Sequence, residues 1–271
     1  MSKYELPVAK GKLAEEVSGL VDKLAMFISP GIDPAQFLAM VVAEANALSF
    51  SLTQEAIEDY RTKVSFVKAA FNAAVVGLLP GPALGHCYFI AFDRNKNKPP
   101  VERYTEIVYV PGYKGFLELA FANSFLVQCD PEVVLAGEFV ERMHTDDGPK
   151  IKHEIPVPRG QIADRKTIIG AYCTYRSARG GRGVVYMDRS EIDLVDKKYN
   201  IWQSNYTAMC LKTVIRRAAK RWQITRSMAQ AIMLDEAAER DDIQPALVPM
   251  DDPSNGVAET IDLEDLAEVA E

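Results

Sequence analysis

Along residues 211–222, LKTVIRRAAKRW, apolar and charged positions follow a helical rhythm. At about 100° per residue Leu211, Val214, Ile215, Ala218 and Trp222 fall on one side. Lys212, Arg216, Arg217, Lys220 and Arg221 fall on the other. The pattern predicts a helix from near Ser204, docked by its apolar side with a basic face outward. Three more helical patterns occupy the first third of the chain: KLAEEVSGLVDKLAMFI from Lys12, DPAQFLAMVVAEANAL from Asp33, and VSFVKAAFNAAVVGL from Val64. Asp33 is placed to cap the second, with Pro34 behind it, and Gly77 and Pro80 stop the third.

Strand patterns begin at HCYFIAF and TEIVYV, around the loop DRNKNKPPVERY, whose Asn, Lys and Pro residues break regular structure. GYKGFLELAFANS reads as a short helix and FLVQCDPEVVLAGEFV as strand. TIIGAYCTYRSARGGRGVVYMD gives two strands turning at Gly180 and Gly181, a hairpin whose tip carries Arg176, Arg179 and Arg182. SEIDLVDKK is a helix with Ser190 as its cap, and TRSMAQAIMLDEAAE one with Thr225 as its cap. The expected fold class is α+β. A helical lobe (1–80) precedes an α+β core (81–240), a small mixed or antiparallel sheet backed by the long basic helix. A disordered acidic tail (241–271) follows, in which only IDLEDLAEV can form a short helix.

Charge changes this picture more than length does. The net charge of −7 over 271 residues averages two unlike regions. From Asp235 onward there are thirteen acids and one base, which leaves residues 1–234 at +5. Between Asp196 and Asp235 lie 38 residues with eight Lys or Arg and no acid. Local i,i+4 pairing cannot neutralise such a run, so an external polyanion, or acids brought in by the fold, must do so. Tyr172, Tyr175, Tyr186, Tyr199, Trp202 and Tyr206 interleave with these cations. Aromatic faces beside cations suit a single strand of nucleic acid, with bases stacked and phosphates neutralised. Strand tyrosines more often serve the core, but Trp202, in a polar stretch before the basic helix, is open to both readings.

Catalytic signatures are missing. No phosphate-cradling G-x-x-x-x-G-K-[ST] loop occurs. The three histidines, His86, His144 and His153, lack ligand-like spacing, and the four cysteines read as buried free thiols of a reducing compartment. No metal or cofactor is expected. No apolar run reaches bilayer length and the first residues lack a signal-peptide core, so the expectation is a cytoplasmic protein without membrane contact. The glycines of GYKG, Gly112 and Gly115, would let the backbone approach a phosphate at a helix start, with Tyr113 and Lys114 between them. A plain turn would use the same glycines.

Three segments, in order, resemble the RecT family of phage single-strand annealing proteins. VVGLLPGPALGHCYFIAF is similar to the family's helix, Pro/Gly turn and Gly-His strand, and YVPGYKGFLELA to its Gly-Tyr-(Arg/Lys)-Gly motif and helix. GAYCTYRSARG, YMDRSEIDLV, WQSNY and MCLKTVIRRAAK resemble its C-terminal core. The resemblance spans roughly residues 33–226. It implies a protein that coats single-stranded DNA, pairs complementary strands without ATP and holds the nascent duplex. It also implies a homo-oligomer, ring or helical filament, working with a partner exonuclease and a host single-strand-binding protein in the host cytoplasm. It places Lys114 at the basic position of the Gly-Tyr motif and Lys212, Arg216, Arg217 and Lys220 on the basic helix. The rival readings are a metal-dependent nuclease using carboxylates such as Asp164 or Glu154, and a phage structural protein whose basic face meets an acidic partner.

Overall fold

Asp33 accepts a hydrogen bond from the Ala35 N–H at 3.0 Å, with Pro34 in the first helical position, and so starts α2 (Pro34–Ser51). The computed structural model describes residues 4, 6–122, 125–146, 148–160, 162–196, 200–222 and 224–247. Residues 248–271, most of the expected acidic tail, lie outside them. The chain forms two compact units, one from residues up to Pro111 together with those from Gln230 on, the other Gly112–Ala229. No described helix is long and apolar enough to cross a membrane.

In the first unit α1 (Lys12–Met26) and α3 (Gln54–Glu58) pack on α4 (Tyr60–Val76), and α2 packs on α1. Small buried residues of α4, Ala69, Ala70, Ala73 and Ala74, allow close approach on several sides. The helix ends at Gly77, whose φ of +85° is the left-handed conformation glycine adopts without a Cβ clash. β1 (Cys87–Arg94) and β2 (Tyr104–Pro111) form an antiparallel hairpin, with a 3-10 turn at Pro100–Glu102 between them. This hairpin belongs with the helices, so the first boundary falls at Pro111 and not at residue 80. The reason is packing on α4, where the Thr62 hydroxyl donates to the Thr105 carbonyl (2.6 Å) and Ser65 Oγ accepts from the Ile107 N–H (2.8 Å). Behind them Lys68 and Arg94 converge on buried Glu106 at 3.4 and 2.5 Å.

Residues 241–247 also depart from the expectation of a free tail. The Gln244 carboxamide accepts from the Tyr109 N–H (3.0 Å) and donates to the Tyr109 and Leu234 carbonyls (2.7 and 2.8 Å), pairing with β2 as a neighbouring strand would. Asn72 holds the same segment from α4, donating to the Pro245 carbonyl and accepting from the Leu247 N–H. Arg94 donates to both the carbonyl and the carboxylate of Asp241. Buried backbone groups need partners, and here two side-chain amides supply them.

In the second unit β3 (Leu126–Leu135), β6 (Ile168–Ser177) and β7 (Arg182–Asp188) form an antiparallel sheet in the order β3-β6-β7. α5 (Tyr113–Phe121) and α6 (Arg189–Val195) flank it. After α7 (Asn200–Ser204), α8 (Tyr206–Ala219) lies across all three strands. Ala171, Cys173 and Val185 of the sheet and Val214, Ile215 and Ala218 of α8 are buried. α9 (Arg226–Arg240) starts in this unit, with the Thr225 hydroxyl accepting from the Met228 N–H as expected. α6 is capped by Asp188 in a reciprocal capping box with Glu191, just upstream of the Ser190 expected.

A second hairpin, β4 (Phe139–Thr145) and β5 (Gly148–Glu154), lies against the sheet and is clamped there by a buried charge cluster. Glu138 accepts from Arg159 at 2.7 and 3.0 Å and from the Leu135 N–H at 2.7 Å, and stands 3.0 Å from Nε2 of His153. Nδ1 of His153 lies 3.2 Å from the Tyr172 hydroxyl on β6. Burial pushes the Glu138 carboxyl up, yet these hydrogen bonds outweigh it and hold the group at about 2, against an ordinary 4.5.

Glu138→Gln should cost about 3 kcal/mol of unfolding free energy at neutral pH. A carboxyl depressed in the folded state stabilises fully above 4.5 and loses that contribution as pH falls through about 2. The denaturation midpoints of wild type and variant should therefore converge over that interval, and a constant gap overturns the assignment. A chain cut after Arg240 should lose stability, because each buried polar group left unsatisfied costs about 1–3 kcal/mol. A chain cut after Leu247 should melt like the full chain, and equal melting of both truncations would show the hydrogen bonds of 241–247 to be idle.

Candidate nucleic-acid interface

Among the described helices, α2, α3, α4, α6 and α9 start with a side-chain cap, from Asp33, Thr53, Asp59, Asp188 and Thr225. α1, α5 and α8 do not. The cap position of α5 is Gly112, which has no side chain to offer, and at the start of α8 Asn205 turns its amide to Ser204 Oγ at 3.0 Å. The first N–H groups of both helices therefore keep their capacity for an outside acceptor, reinforced by the positive ends of the helix dipoles.

α5 and α8 pack side by side, and their first turns open into one cleft of about 530 Å³ with Tyr113 and Asn205 on its wall. The turn Asp164-Arg165-Lys166 also lines it. Thr207 Oγ1 ties this turn to α8 by donating to the Ala163 carbonyl at 2.8 Å. Asp164 is occupied within its own turn, accepting from the N–H groups of Thr167 (3.0 Å) and Lys166 (2.7 Å), which hold its carboxyl below the ordinary value. Arg165 lies 4.6 Å over the Tyr206 ring and pairs with Asp196 at 2.5 Å, so it is a strut of the wall. Lys166 and Lys114 are exposed. The result is a cleft with two helix starts and the Lys166 ammonium on its wall, with Lys114 exposed nearby in sequence on the first turn of α5, a chemistry suited to phosphate oxygens.

A second electropositive surface follows β7, an edge strand. Arg176 and Arg182 stand directly opposite each other in the β6–β7 ladder, a like-charge pair that costs stability. Arg179 sits at the turn, and among the described residues none of the three has an acidic partner. The tip is rigid. Ser177 closes it through hydrogen bonds to Gly180 and Gly181, and Gly180 takes a φ of +87°. Tyr175 lies across Gly183, where a Cβ would come within 2.1 Å of the ring, and meets Trp222 edge-on at 5.5 Å.

The basic helix itself differs from expectation. Lys212 and Arg216 are 3% and 7% exposed and each engages a partner within the protein. Arg217 pairs with Glu191 of α6 at 2.6 Å. Lys220 and Arg221, at the end of the helix, are exposed. A helix with α5, α6 and a sheet around it has no broad solvent face, so the outward basic face reduces to its last turn. Trp202 is 2% exposed and packs on Tyr206, which makes it a core residue. Tyr113 lines the cleft, Gly112 precedes it at the start of α5, Lys114 is on the exposed side of the first turn of α5, and Gly115 is buried. The structure thus places Tyr113 at the cleft, Arg217, Arg221 and the tip arginines around β7, and Lys212, Arg216, Trp202 and Gly115 inside the fold. It adds Lys166, whose DRK context in the sequence is only a fragment of a nuclease pattern, and Arg142 and Lys150, on a hairpin that lacks an apolar alternation.

Fold and electrostatics together define an α+β protein with anion-attracting surfaces on its second unit. The RecT family pattern matches residues 38–248, and the chain belongs to that family. It is 30% identical over 179 residues to Protein RecT of Escherichia coli (strain K12), covering 64% of this chain and 63% of that protein. It is 23% identical over 188 residues to the Uncharacterized protein YqaK of Bacillus subtilis (strain 168), covering 66% of this chain and 59% of that one. The chain thus spans about three fifths of the length of these relatives.

Arg182→Glu should turn the opposed arginines into an ion pair and raise hairpin stability by about 0.2–1 kcal/mol. The same variant should elute from a heparin column at lower salt. A lowered melting temperature, or unchanged elution, would remove the β7 edge from the polyanion surface.

Proposed function

We propose that this protein binds single-stranded DNA along the α5–α8 cleft and pairs complementary strands without nucleotide hydrolysis. The observation that carries this reading is the convergence of two helix starts without side-chain caps in one cleft lined by Lys166, with Lys114 exposed on the first turn of α5. Membership of the RecT family supports it. Two DNA strands repel each other, and fixed cations on the phosphates remove that penalty while leaving the bases to select the partner. Binding is then generic in sequence and steeply dependent on salt. No residue is assigned a catalytic step.

One cleft holds only a few nucleotides, so useful lengths of strand call for side-by-side copies, as a ring or a filament, that hold the annealed duplex afterwards. An exonuclease that exposes single strands and a single-strand-binding protein are the partners such a role requires. Annealing is favoured over the nuclease reading because Asp164 is tied into its turn and Glu154 pairs with Lys152 at 2.6 Å. Among the described residues no group of three or more His, Cys, Asp and Glu side chains is placed to hold a metal ion.

With Lys114→Gln and Lys166→Gln combined, the slope of log K against log salt for an oligonucleotide should flatten by roughly 1.4, at about 0.7 for each phosphate no longer neutralised. Complementary oligonucleotides mixed with the wild-type protein should anneal faster without ATP. An unchanged slope removes the cleft from DNA binding, and shortened strands in the presence of Mg²⁺ would restore the nuclease reading.

A further inference from the structure

Arg189, the first residue of α6, ties together three elements of the second unit. Its Nη1 donates to the carbonyls of Arg165 at 2.6 Å and of Ile168 at 2.9 Å. Its Nε donates to the carboxylate of Asp193, one turn along α6, at 2.8 and 3.0 Å. The guanidinium lies 5.1 Å over the ring of Tyr206, the first residue of α8, and Arg165 lies 4.6 Å over the same ring. Tyr206 is 4% exposed, so the ring is a fixed point against which both arginines are set.

The two carbonyls that Arg189 takes lie on either side of Lys166. Within the turn between them the Lys166 and Thr167 N–H groups donate to Asp164, and Thr167 Oγ1 accepts from the Asp164 N–H and donates to the Ile162 carbonyl. Lys166 enters this network through its N–H, and its side chain is exposed. A polar surface turn is ordinarily mobile. An ammonium on a moving backbone loses more freedom on meeting a phosphate than one whose backbone is already set. Arginine suits the setting task because its planar group offers donors in fixed directions, enough for two carbonyls and a carboxylate while its face rests on a ring. Its charge is met by Asp193, which leaves the neutralisation of a phosphate to Lys166.

We infer that Arg189 is a positioning residue for DNA binding. It sets the turn that carries Lys166 against the start of α8, and it acts on the strand only through Lys166. This rests on the reading that the α5–α8 cleft takes the strand.

The test is a double-mutant cycle on the full chain, with the affinity for a short labelled oligonucleotide measured over a range of salt. Arg189→Gln should weaken binding about tenfold at every salt concentration without changing the slope of log K against log salt, because no phosphate contact is deleted. Lys166→Gln should flatten that slope by roughly 0.7. Added to Lys166→Gln, Arg189→Gln should weaken binding by no more than about twofold further, whereas a general loss of stability would give the full tenfold in both backgrounds. Arg189→Lys keeps the charge without the paired donors and should behave as Arg189→Gln does. Hydrogen exchange reads the position of the turn directly: the Lys166 and Thr167 N–H groups should exchange faster in Arg189→Gln while β6 keeps its protection. Asp193→Asn, at an exposed position, releases the anchored end of the guanidinium and serves if Arg189→Gln does not fold. Its smaller loss of affinity should likewise vanish once Lys166 is replaced. Equal effects in the two backgrounds, a flattened slope, unchanged exchange at Lys166, or full rescue by Arg189→Lys overturns the inference. Lys166→Gln at wild-type affinity and slope would bring down the cleft reading and the inference with it, whereas a failure confined to the Arg189 variants leaves the cleft standing.

Discussion

The docking of α8 on the β3-β6-β7 sheet fixes the position of nearly every functional charge of the second unit. Burying Val214 and Ile215 is worth about 1.5–3 kcal/mol for each side chain, enough to seat the helix although Lys212 and Arg216 are buried with it. With the helix seated, its start must lie beside the start of α5 and its last turn beside β7. Geometry at both ends is inherited from apolar packing in the middle, and the polar residues at the ends contribute little to holding it.

Cations in the second unit fall into two populations. Some are neutralised inside the fold: Arg159 by Glu138 and Glu132, Arg165 by Asp196, Arg217 by Glu191. These set hairpins and turns in place. Others are gathered where the fold brings no acid, above all Arg176 opposite Arg182. A like-charge pair across a strand ladder is unfavourable in the isolated protein, and its cost is offset once an anion lies over it. The Glu138 cluster belongs to the first population but serves the second, since it holds the hairpin from which Arg142 reaches Tyr186.

Where periodicity and local chemistry agree, the sequence was legible. Asp33-Pro34, Gly77, the turn at Gly180 and Gly181, and the Thr225 cap are local signals, and each appears at its expected place. The β4–β5 hairpin was not legible, because β4 is exposed along nearly its whole length and carries no apolar alternation to mark it as strand. The burial of Lys212 and Arg216 was hidden for another reason. Helical periodicity names an apolar face but does not count neighbours, and α8 has them on more than one side. The cleft was half visible: GYKG announced a helix start near an anion, but nothing local could announce that a second helix, and Lys166 from a distant turn, would come to the same place. The segment 241–247 misled because its composition is that of a linker, while two carboxamides from distant positions decide its fate.

The division of the chain into units has a consequence for biosynthesis. The second unit is one unbroken stretch, Gly112–Ala229, whereas the first is assembled from residues before it and after it. As the chain leaves the ribosome, the second unit can close as soon as its own last strand and helix have emerged. The first must wait with the edge of β2 uncovered until Gln244 has been made, 135 residues after its partner Tyr109. An open strand edge and exposed apolar surface are the features that recruit chaperones and seed aggregation. The order of synthesis therefore leaves the first unit the more vulnerable of the two, because the segment that completes it arrives only after the whole second unit.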